Sequence, residues 1–196
     1  MMKRFAEVER TTKETKIKAE FNIDGSGKNE ISTGIPFFDH MLTLFSVHGF
    51  FDLQLRANGD IEVDYHHTVE DVGLVLGEAL AIALGDRKGI TRYGHAVTPM
   101  DDAISTVTID LSNRPYLVYA LPDLFARQTE IYSSLFKEFF RSFSNKSGMN
   151  LHINAQYGEN DHHLIESIFK SFARSLDMAT SFDERVKHVH SSKGLL

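Results

Sequence analysis

Two stretches decide how this chain is built: HHTVEDVGLVLGEAL at residues 66–80 and HHLIESIFKSFARSL at residues 162–176. Both begin with a histidine doublet, carry a glutamate four residues after the first histidine, and continue with apolar residues at every fourth position. That spacing is typical of the buried face of an amphipathic helix. We therefore expect each doublet to open a helix of about five turns.

The similarity between the two halves continues upstream of the doublets. FDHMLTLFSVHGFFDLQL, from residue 38, matches FKEFFRSFSNKSGMNLHI, from residue 136, which sets His40 opposite Glu138. Each half thus offers a helix, a short alternating strand and then the doublet helix, the strands being Asp52 to Ala57 and Asn150 to Gln156. A duplicated half-domain is the simplest account of this repeat.

Further strand-like segments precede these helices in both halves. They read RFAEVER and TKIKAEFNID in the first half and AVTPMDDAISTVTID and RPYLVYAL in the second, while glycines in IDGSGKNE mark a turn. The sequence therefore predicts an internally duplicated α+β chain. It comprises two similar half-domains, residues 1–91 and residues 92–196, each with a mostly antiparallel sheet packed on two helices.

Composition narrows the classes of function. The formal net charge of the 196 residues is −6, so no basic surface indicates nucleic acid or an anionic membrane as a partner. The absence of cysteine excludes disulfides and thiolate chemistry. No apolar run is long enough to span a bilayer, and the first residues contain no apolar signal segment. We expect a soluble, unprocessed protein, and a cytoplasmic location is compatible with this composition.

The doublets have the spacing of a metal site. On a helix His66 and Glu70 lie only about 40° apart around the axis and are able to chelate one ion, whereas His67 is turned by about 100° from His66. His162 and Glu166 repeat the pair. Each metal would then take a histidine and a glutamate from one helix and the odd histidine from the other. The sequence leaves open whether the two helix starts meet within a chain or between subunits.

Three ligands per metal leave an opening for substrate or water. Imidazole and carboxylate ligands without thiolate indicate Mn, Fe, Zn, Co or Ni, and an octahedral site with open positions suits Mn well. A single HHxxE is more often an exposed polar pair, but two copies at equivalent positions of a duplicated chain favour the metal site.

Several motifs in fixed order resemble the imidazoleglycerol-phosphate dehydratase family of histidine biosynthesis. They are ERTTKET, GIPFFDHML, HHTVEDVG, RYGHAVTPMDDA, HHLIESIFKSFARSL and the tail SSKG, and together they cover nearly the whole chain. The resemblance implies a hydro-lyase that converts imidazole glycerol phosphate into imidazole acetol phosphate through a metal-bound imidazolate and a diazafulvene-like intermediate. It also implies two manganese ions per active site and a cytoplasmic homo-oligomer of 24 subunits, with sites formed between subunits.

The resemblance also assigns individual residues. One manganese would be held by His40, His67, His162 and Glu166. The other would be held by His66, Glu70, Glu138 and His163. Family members often have histidine in place of Glu138, although a carboxylate is an acceptable ligand for Mn. Glu14 is the candidate general base or proton shuttle, and His48 would assist departure of the hydroxyl. Substrate would be bound by Glu14, His40, His48, Arg92, Arg114, Lys170, Ser191, Ser192 and Lys193, the last three lying in the C-terminal tail.

Other interpretations remain open at this point. A dinuclear metallohydrolase acting on a phosphoester would need the same ligands. A metal-stabilised scaffold or metal store would need the ligands but not Glu14, Lys170 or Lys193. Asp101 and Asp102 are also acidic candidates, although ordinary turn residues are the more common role for such a pair.

Overall fold

The computed structural model describes residues 4–122 and 130–196 of the chain. The first half contains β1 (Phe5–Thr11), β2 (Thr15–Asn22), β3 (Asn29–Ser32), α1 (Pro36–Gly49), β4 (Asp52–Gly59) and α2 (His66–Leu84). The second half repeats this order with β5 (Tyr93–Met100), β6 (Ala103–Asp110), β7 (Tyr116–Ala120), α3 (Glu130–Ser147), β8 (Asn150–Tyr157) and α4 (Asp161–Thr180). Both doublets lie at the start of a helix, of 19 residues in α2 and 20 in α4, so the predicted five-turn helices are confirmed.

Each half forms one four-stranded sheet. The strand orders are β1-β2-β4-β3 and β5-β6-β8-β7, and they correspond strand by strand. Only the last pair in each order is parallel, β3 with β4 and β7 with β8. The prediction of an α+β fold made of two similar half-domains with mostly antiparallel sheets is therefore confirmed. The boundary between residues 91 and 92 stays a prediction.

The strands follow the alternation of their side chains. In β2, Ile17, Ala19 and Phe21 have no exposed surface, whereas Lys16 and Lys18 face solvent. A period of two places these apolar residues on one face of the sheet, where helices can cover them. In the first half α2 packs on β1, β2 and β4, and in the second half α4 packs on β5, β6 and β8.

The helices also join the two halves. α2 packs against α3 and α1 packs against α4, so each helix contact across the middle of the molecule pairs one half with the other. Glycines bring α2 close to α3, since a Cβ atom at Gly73 would lie 2.6 Å from the carbonyl oxygen of Phe139. Between α1 and α4 the rings of Phe45 and Phe172 stack with centroids 5.4 Å apart. The paired helices are held at fixed positions by this close packing.

Three segments differ in detail from the sequence interpretation. The segment IDGSGKNE is not only a turn, because β3 begins inside it at Asn29. AVTPMDDAISTVTID is not one element but the hairpin of β5 and β6, which turns at Asp101 with a φ of 46°. RPYLVYAL contains the shorter β7.

None of the helices within residues 4–122 and 130–196 combines the length and the apolar character that a bilayer-crossing helix needs.

Candidate active site and metal centre

His40, His162 and Glu166 form a group in which one ligand atom of each lies within 4.8 Å of the others. The Nε2 atoms of His40 and His162 lie 3.4 Å and 3.2 Å from Oε2 of Glu166. The group exists because α1 of the first half lies along α4 of the second half. Asn160, the residue before α4, accepts hydrogen bonds with its side chain from the backbone N–H groups of the doublet, which fixes where the helix begins.

The carboxylate of Glu166 is ionised and ready to bind a cation. It is buried, and burial alone would raise its pKa, but hydrogen bonds from Lys170, His40 and His162 outweigh burial and hold the pKa below its ordinary value. Lys170 donates from Nζ to Oε1 of Glu166 at 2.6 Å, which leaves Oε2 to the two histidines. Lys170, predicted to bind substrate, therefore lies beside the histidine and glutamate group.

The equivalent residues of α2 are less closely grouped. Nε2 of His66 lies 3.6 Å from Oε2 of Glu70, and the backbone N–H of His66 is capped by Asp64 at 2.7 Å. Glu138 instead forms an ion pair with Arg141 one turn further along α3. Within the two described ranges, the trio of His40, His162 and Glu166 is the one group of metal-binding side chains at this spacing.

The two histidines of each doublet face in different directions. The rings of His66 and His67 are 6.0 Å apart and inclined at 87°, and those of His162 and His163 are 6.2 Å apart and inclined at 78°. His67 contacts Asp60, with Nδ1 to Oδ2 at 3.0 Å. Within this chain neither odd histidine is grouped with the other doublet, so their predicted roles as crossed ligands stay predictions.

His163 contacts a carboxylate in the same way as His67. Its Nδ1 lies 2.5 Å from Oδ1 of Asp102, the second residue of the β5–β6 turn. The hydrogen bond to Asp102 raises the pKa of His163, and the hydrogen bond to Asp60 raises the pKa of His67. Asp60 was not considered from the sequence, and Asp102 was interpreted as a turn residue. A comparison of the two hairpins would have indicated Asp102, because Glu14 occupies the same place before β2.

The two predicted catalytic residues lie near these groups. Glu14 is exposed in the β1–β2 turn, with Oε2 3.9 Å from Nδ1 of His67. His48 is half-buried on α1, two turns after His40. Burial lowers the pKa of His48, and the charges of Lys170 and Arg174 lower it further, so the ring is uncharged near neutral pH.

Five predicted substrate-binding residues line one cavity of about 560 Å³ at the C-terminal tail: Arg92, Arg114, Ser191, Ser192 and Lys193. Arg92 is nearly buried there and donates two hydrogen bonds to Asp110, at 2.6 Å and 3.1 Å, and one to the carbonyl of His190. Arg92 therefore fastens the tail to β6, while Arg114 and Lys193 are exposed cations on the cavity. Of the cations predicted to bind the phosphate, Arg92, Arg114 and Lys193 lie at this cavity, whereas Lys170 lies beside Glu166.

The comparisons with known proteins all indicate the same family. A family model described as imidazoleglycerol-phosphate dehydratase matches residues 33–176. The imidazoleglycerol-phosphate dehydratase of Syntrophobacter fumaroxidans is 60% identical over 189 residues, which are 96% of this chain and 96% of that protein. The protein of the same name from Desulfosudis oleivorans is 58% identical over 195 residues, with all of both chains covered.

Solved structures carry the same fold. The crystal structure of imidazoleglycerol-phosphate dehydratase from Staphylococcus aureus superposes with a TM-score of 0.80 at 34% identity, over 91% of this chain and 99% of that chain. The crystal structure from Pyrococcus furiosus in complex with (S)-C348 gives a TM-score of 0.79 at 38% identity, over 96% of this chain and 100% of that chain. The duplicated architecture described above is thus shared with both.

Proposed function

Since the chain belongs to the imidazoleglycerol-phosphate dehydratase family of histidine biosynthesis, we propose that it dehydrates imidazole glycerol phosphate to imidazole acetol phosphate with two manganese ions per active site. The group of His40, His162 and Glu166 is the observation that supports the manganese part of this proposal. Two imidazole nitrogens and an ionised carboxylate oxygen within 4.8 Å of one another are a donor set that suits a divalent transition metal.

The proposed ligand sets are those that the duplicated sequence indicates. The first ion would be bound by His40, His67, His162 and Glu166, and the second by His66, Glu70, Glu138 and His163. When bound, the two ions would act as Lewis acids that favour the imidazolate form of the substrate ring. That form would expel the neighbouring hydroxyl as hydroxide to give a diazafulvene-like species, which would take up the electrons left when the adjacent carbon loses its proton. The ring planes of each doublet are close to perpendicular, which supports the assignment of adjacent histidines to different ions.

Proton transfer falls to residues of the chain itself. Glu14 is an exposed carboxylate beside His67 and is free to take a proton from the substrate carbon and return it at the ketone. His48, uncharged near neutral pH because of burial and two nearby cations, would donate a hydrogen bond to the departing hydroxyl. Lys170 keeps Glu166 ionised through the 2.6 Å hydrogen bond and, as predicted, would contact substrate from that position.

The phosphate would be bound in the tail cavity. Arg114 and Lys193 supply charge that attracts a phosphate, and the hydroxyls of Ser191 and Ser192 supply hydrogen bonds. Arg92 contributes by holding the tail in place through Asp110 and the His190 carbonyl. A net charge of −6 makes this local cluster of cations necessary for an anionic substrate.

The position of the tail cavity favours active sites shared between subunits. The backbone N–H of Arg92 donates to Ala179 near the end of α4, whereas Glu166 lies near the start of the same helix. At the helical rise these ends are roughly 20 Å apart, which is longer than a small phosphorylated imidazole. We therefore propose a homo-oligomer in which the tail of one chain reaches the histidine and glutamate group of another. Assembly of 24 subunits and a cytoplasmic location are the two parts of the proposal that rest on the family resemblance alone.

The test is dehydration of imidazole glycerol phosphate by the purified enzyme before chelation, after chelation and after readdition of Mn²⁺. We expect activity to disappear with the metal and return with Mn²⁺, and the product to be the ketone with its phosphate retained. Full activity after verified metal removal would reject the manganese part. Release of inorganic phosphate in place of water would reject the reaction.

A further inference from the structure

The odd histidine of each doublet presents the same ring nitrogen. Nδ1 of His67 lies 3.0 Å from Oδ2 of Asp60, and Nδ1 of His163 lies 2.5 Å from Oδ1 of Asp102. A carboxylate only accepts hydrogen bonds, so it selects the form of a neutral imidazole that carries the proton on Nδ1. The lone pair of Nε2 is then left for a metal ion, since Oδ2 of the exposed Asp101, 3.8 Å from Nε2 of His163, is too distant for a hydrogen bond.

The other histidines of the doublets direct the same atom to their glutamates. Nε2 of His66 faces Glu70 and Nε2 of His162 faces Glu166. In His66 and His162, Nε2 and the glutamate oxygen are thus directed to the same place, where one ion would lie between them. In His67 and His163 the aspartate instead contacts Nδ1 and leaves Nε2 as the nitrogen available to an ion.

Both aspartates are themselves held in place, Asp102 through its carboxylate and Asp60 through its backbone. Asp102 accepts the backbone N–H groups of Glu159 and Asn160 with Oδ2, at 2.5 Å and 2.9 Å, while Oδ1 contacts the histidine. The backbone N–H of Asp60 donates to the carbonyl of Glu14 at 3.2 Å, and its carbonyl accepts from Val63 at 2.8 Å. A carboxylate with a fixed backbone is able to fix the ring that it contacts.

The duplication explains why a different residue does this in each half. The two hairpins contain an equivalent backbone hydrogen bond, from Ile23 to the carbonyl of Arg4 in the first half and from Leu111 to the carbonyl of Arg92 in the second. These bonds define the alignment of β1 and β2 with β5 and β6. In this alignment Glu14 and Asp102 are equivalent, each directly before the second strand of its hairpin. Asp102 is engaged by His163, but in the first half Asp60 engages His67, and Glu14 is left exposed.

From this geometry we infer that Asp60 and Asp102 are positioning residues that orient His67 and His163 as metal ligands through Nε2. The inference rests on the proposed function, because it concerns the same manganese site. It also explains why the equivalent carboxylates Asp102 and Glu14 have different roles. Asp102 orients the ligand His163, whereas Glu14 does not hold a ligand and is available to transfer protons.

The experiment measures Mn²⁺ affinity by competition with a chelator in the assembled, full-length protein. Asp102→Asn and Asp60→Asn replace a charged acceptor with an amide whose N–H₂ group favours the wrong form of the ring. We expect each to weaken Mn²⁺ binding by about 10- to 100-fold. The matched controls Glu159→Gln and Glu62→Gln remove an exposed charge close by in each case and should bind within about twofold of the parent.

A double-mutant cycle separates orientation of the ring from support of the loop. If Asp102 acts through His163, Asp102→Asn should weaken Mn²⁺ binding no further when His163→Ala is already present. Additive losses would overturn the inference, as would affinity within about twofold of the parent in both aspartate variants. Should Asp102→Asn fail to fold, Asp60→Asn with His67→Ala provides the same cycle. A parent protein that binds no Mn²⁺ would instead overturn the proposed function.

Discussion

The two carboxylate oxygens of Glu166 contact different partners, a lysine and two histidines. Oε1 accepts from Lys170, and Oε2 faces His40 and His162. Because the lysine compensates the cost of burying the carboxylate, the pKa stays below its ordinary value and the oxygen remains available to a cation. Glu166 would thus connect the proposed metal ion to Lys170.

Glu14 is the residue whose role is most open to a direct test. Glu14→Gln keeps the size of the side chain but removes its capacity to accept a proton, so we expect kcat to fall by roughly 10²- to 10⁴-fold. Bound Mn²⁺ should be unchanged. Steady-state kinetics together with metal analysis provide the measurement.

The control for Glu14→Gln is Glu9→Gln, which removes an exposed carboxylate from the same hairpin and should keep kcat within about twofold. A Glu14→Gln enzyme with parental kcat would remove Glu14 from the mechanism. Loss of Mn²⁺ together with activity would make it a support of the metal site and no longer a base.

Helical spacing predicted pairs that lie close in the chain, and the family resemblance placed His40 with His162 and Glu166. Other contacts that folding creates were missed. The pairs His66 with Glu70 and His162 with Glu166 follow from helical spacing, and both are found at short distances. Asp60 was missed because its contact with His67 depends on the path of the loop before α2. Similarly, no local pattern indicates that Arg92 is paired with Asp110 across a hairpin.

The contact between α2 and α3 depends on two glycines. A Cβ atom at Gly73 or at Gly77 would lie 2.6 Å from a carbonyl oxygen of α3, a distance that side chains do not tolerate. These glycines lower the helix propensity of α2, but they allow the two helices to approach. The start of α2, where His66 and Glu70 lie, is fixed by this contact.

Gly73→Ala should therefore push α2 away from α3. We expect a loss of about 1–3 kcal/mol in the free energy of unfolding, because the added methyl group meets backbone that cannot move freely. Chemical denaturation is the measurement. The control is Glu78→Gln, which removes only an exposed ion pair with Lys146 of α3 and should stay near parental stability. A more stable Gly73→Ala protein, as helix propensity alone would give, contradicts the packing account.

Elements with a regular apolar pattern were predictable, whereas the short exposed strand β3 was not. The doublet helices have a buried stripe that runs through their whole length, and β2 has a clear alternation. β3 covers only NEIS and is mostly exposed, so its sequence contains no apolar period to reveal it. Parallel pairing with β4, a contact with a distant part of the chain, makes it a strand.

At the scale of the molecule, one arginine links the beginning of the first half to the end of the second. Arg4 donates to both oxygens of Asp24, to the carbonyl of Thr180 at the end of α4, and lies over the ring of Phe182. The hydrogen bond from Arg4 lowers the pKa of Asp24. Removal of Asp24 should therefore free Arg4 and weaken this link.

We expect Asp24→Asn to lower Tm near pH 7 by no more than about 4 °C. A carboxylate that is 44% exposed contributes at most about 1 kcal/mol to the free energy of unfolding. A lowered folded-state pKa means that this contribution is present above the ordinary carboxyl pKa and is lost as the pH falls through the folded value. Thermal scans of both proteins should therefore converge towards pH 3. An equal Tm difference at pH 7 and pH 3 would show that charge at Asp24 is not the cause.

If active sites are shared between subunits, two chains with different defects should restore activity when they assemble together. His162→Ala damages the histidine and glutamate group, and Arg114→Ala damages the tail cavity, so each protein alone should be nearly inactive. Co-expressed chains would form mixed assemblies in which some sites combine an intact group from one chain with an intact tail from another. We expect activity in the mixture that neither protein has alone. A mixture that remains inactive, despite verified co-assembly, would contradict sites shared in this way.

If the repeated HHxxE segments are halves of two manganese sites, the number of Mn²⁺ ions bound per chain depends on both segments. We expect about two ions per chain in the parent and in His152→Ala, whose histidine is exposed on β8, and about one in His162→Ala with dehydration lost. Two ions and parental turnover in His162→Ala would show that the HHxxE segments are not halves of metal sites.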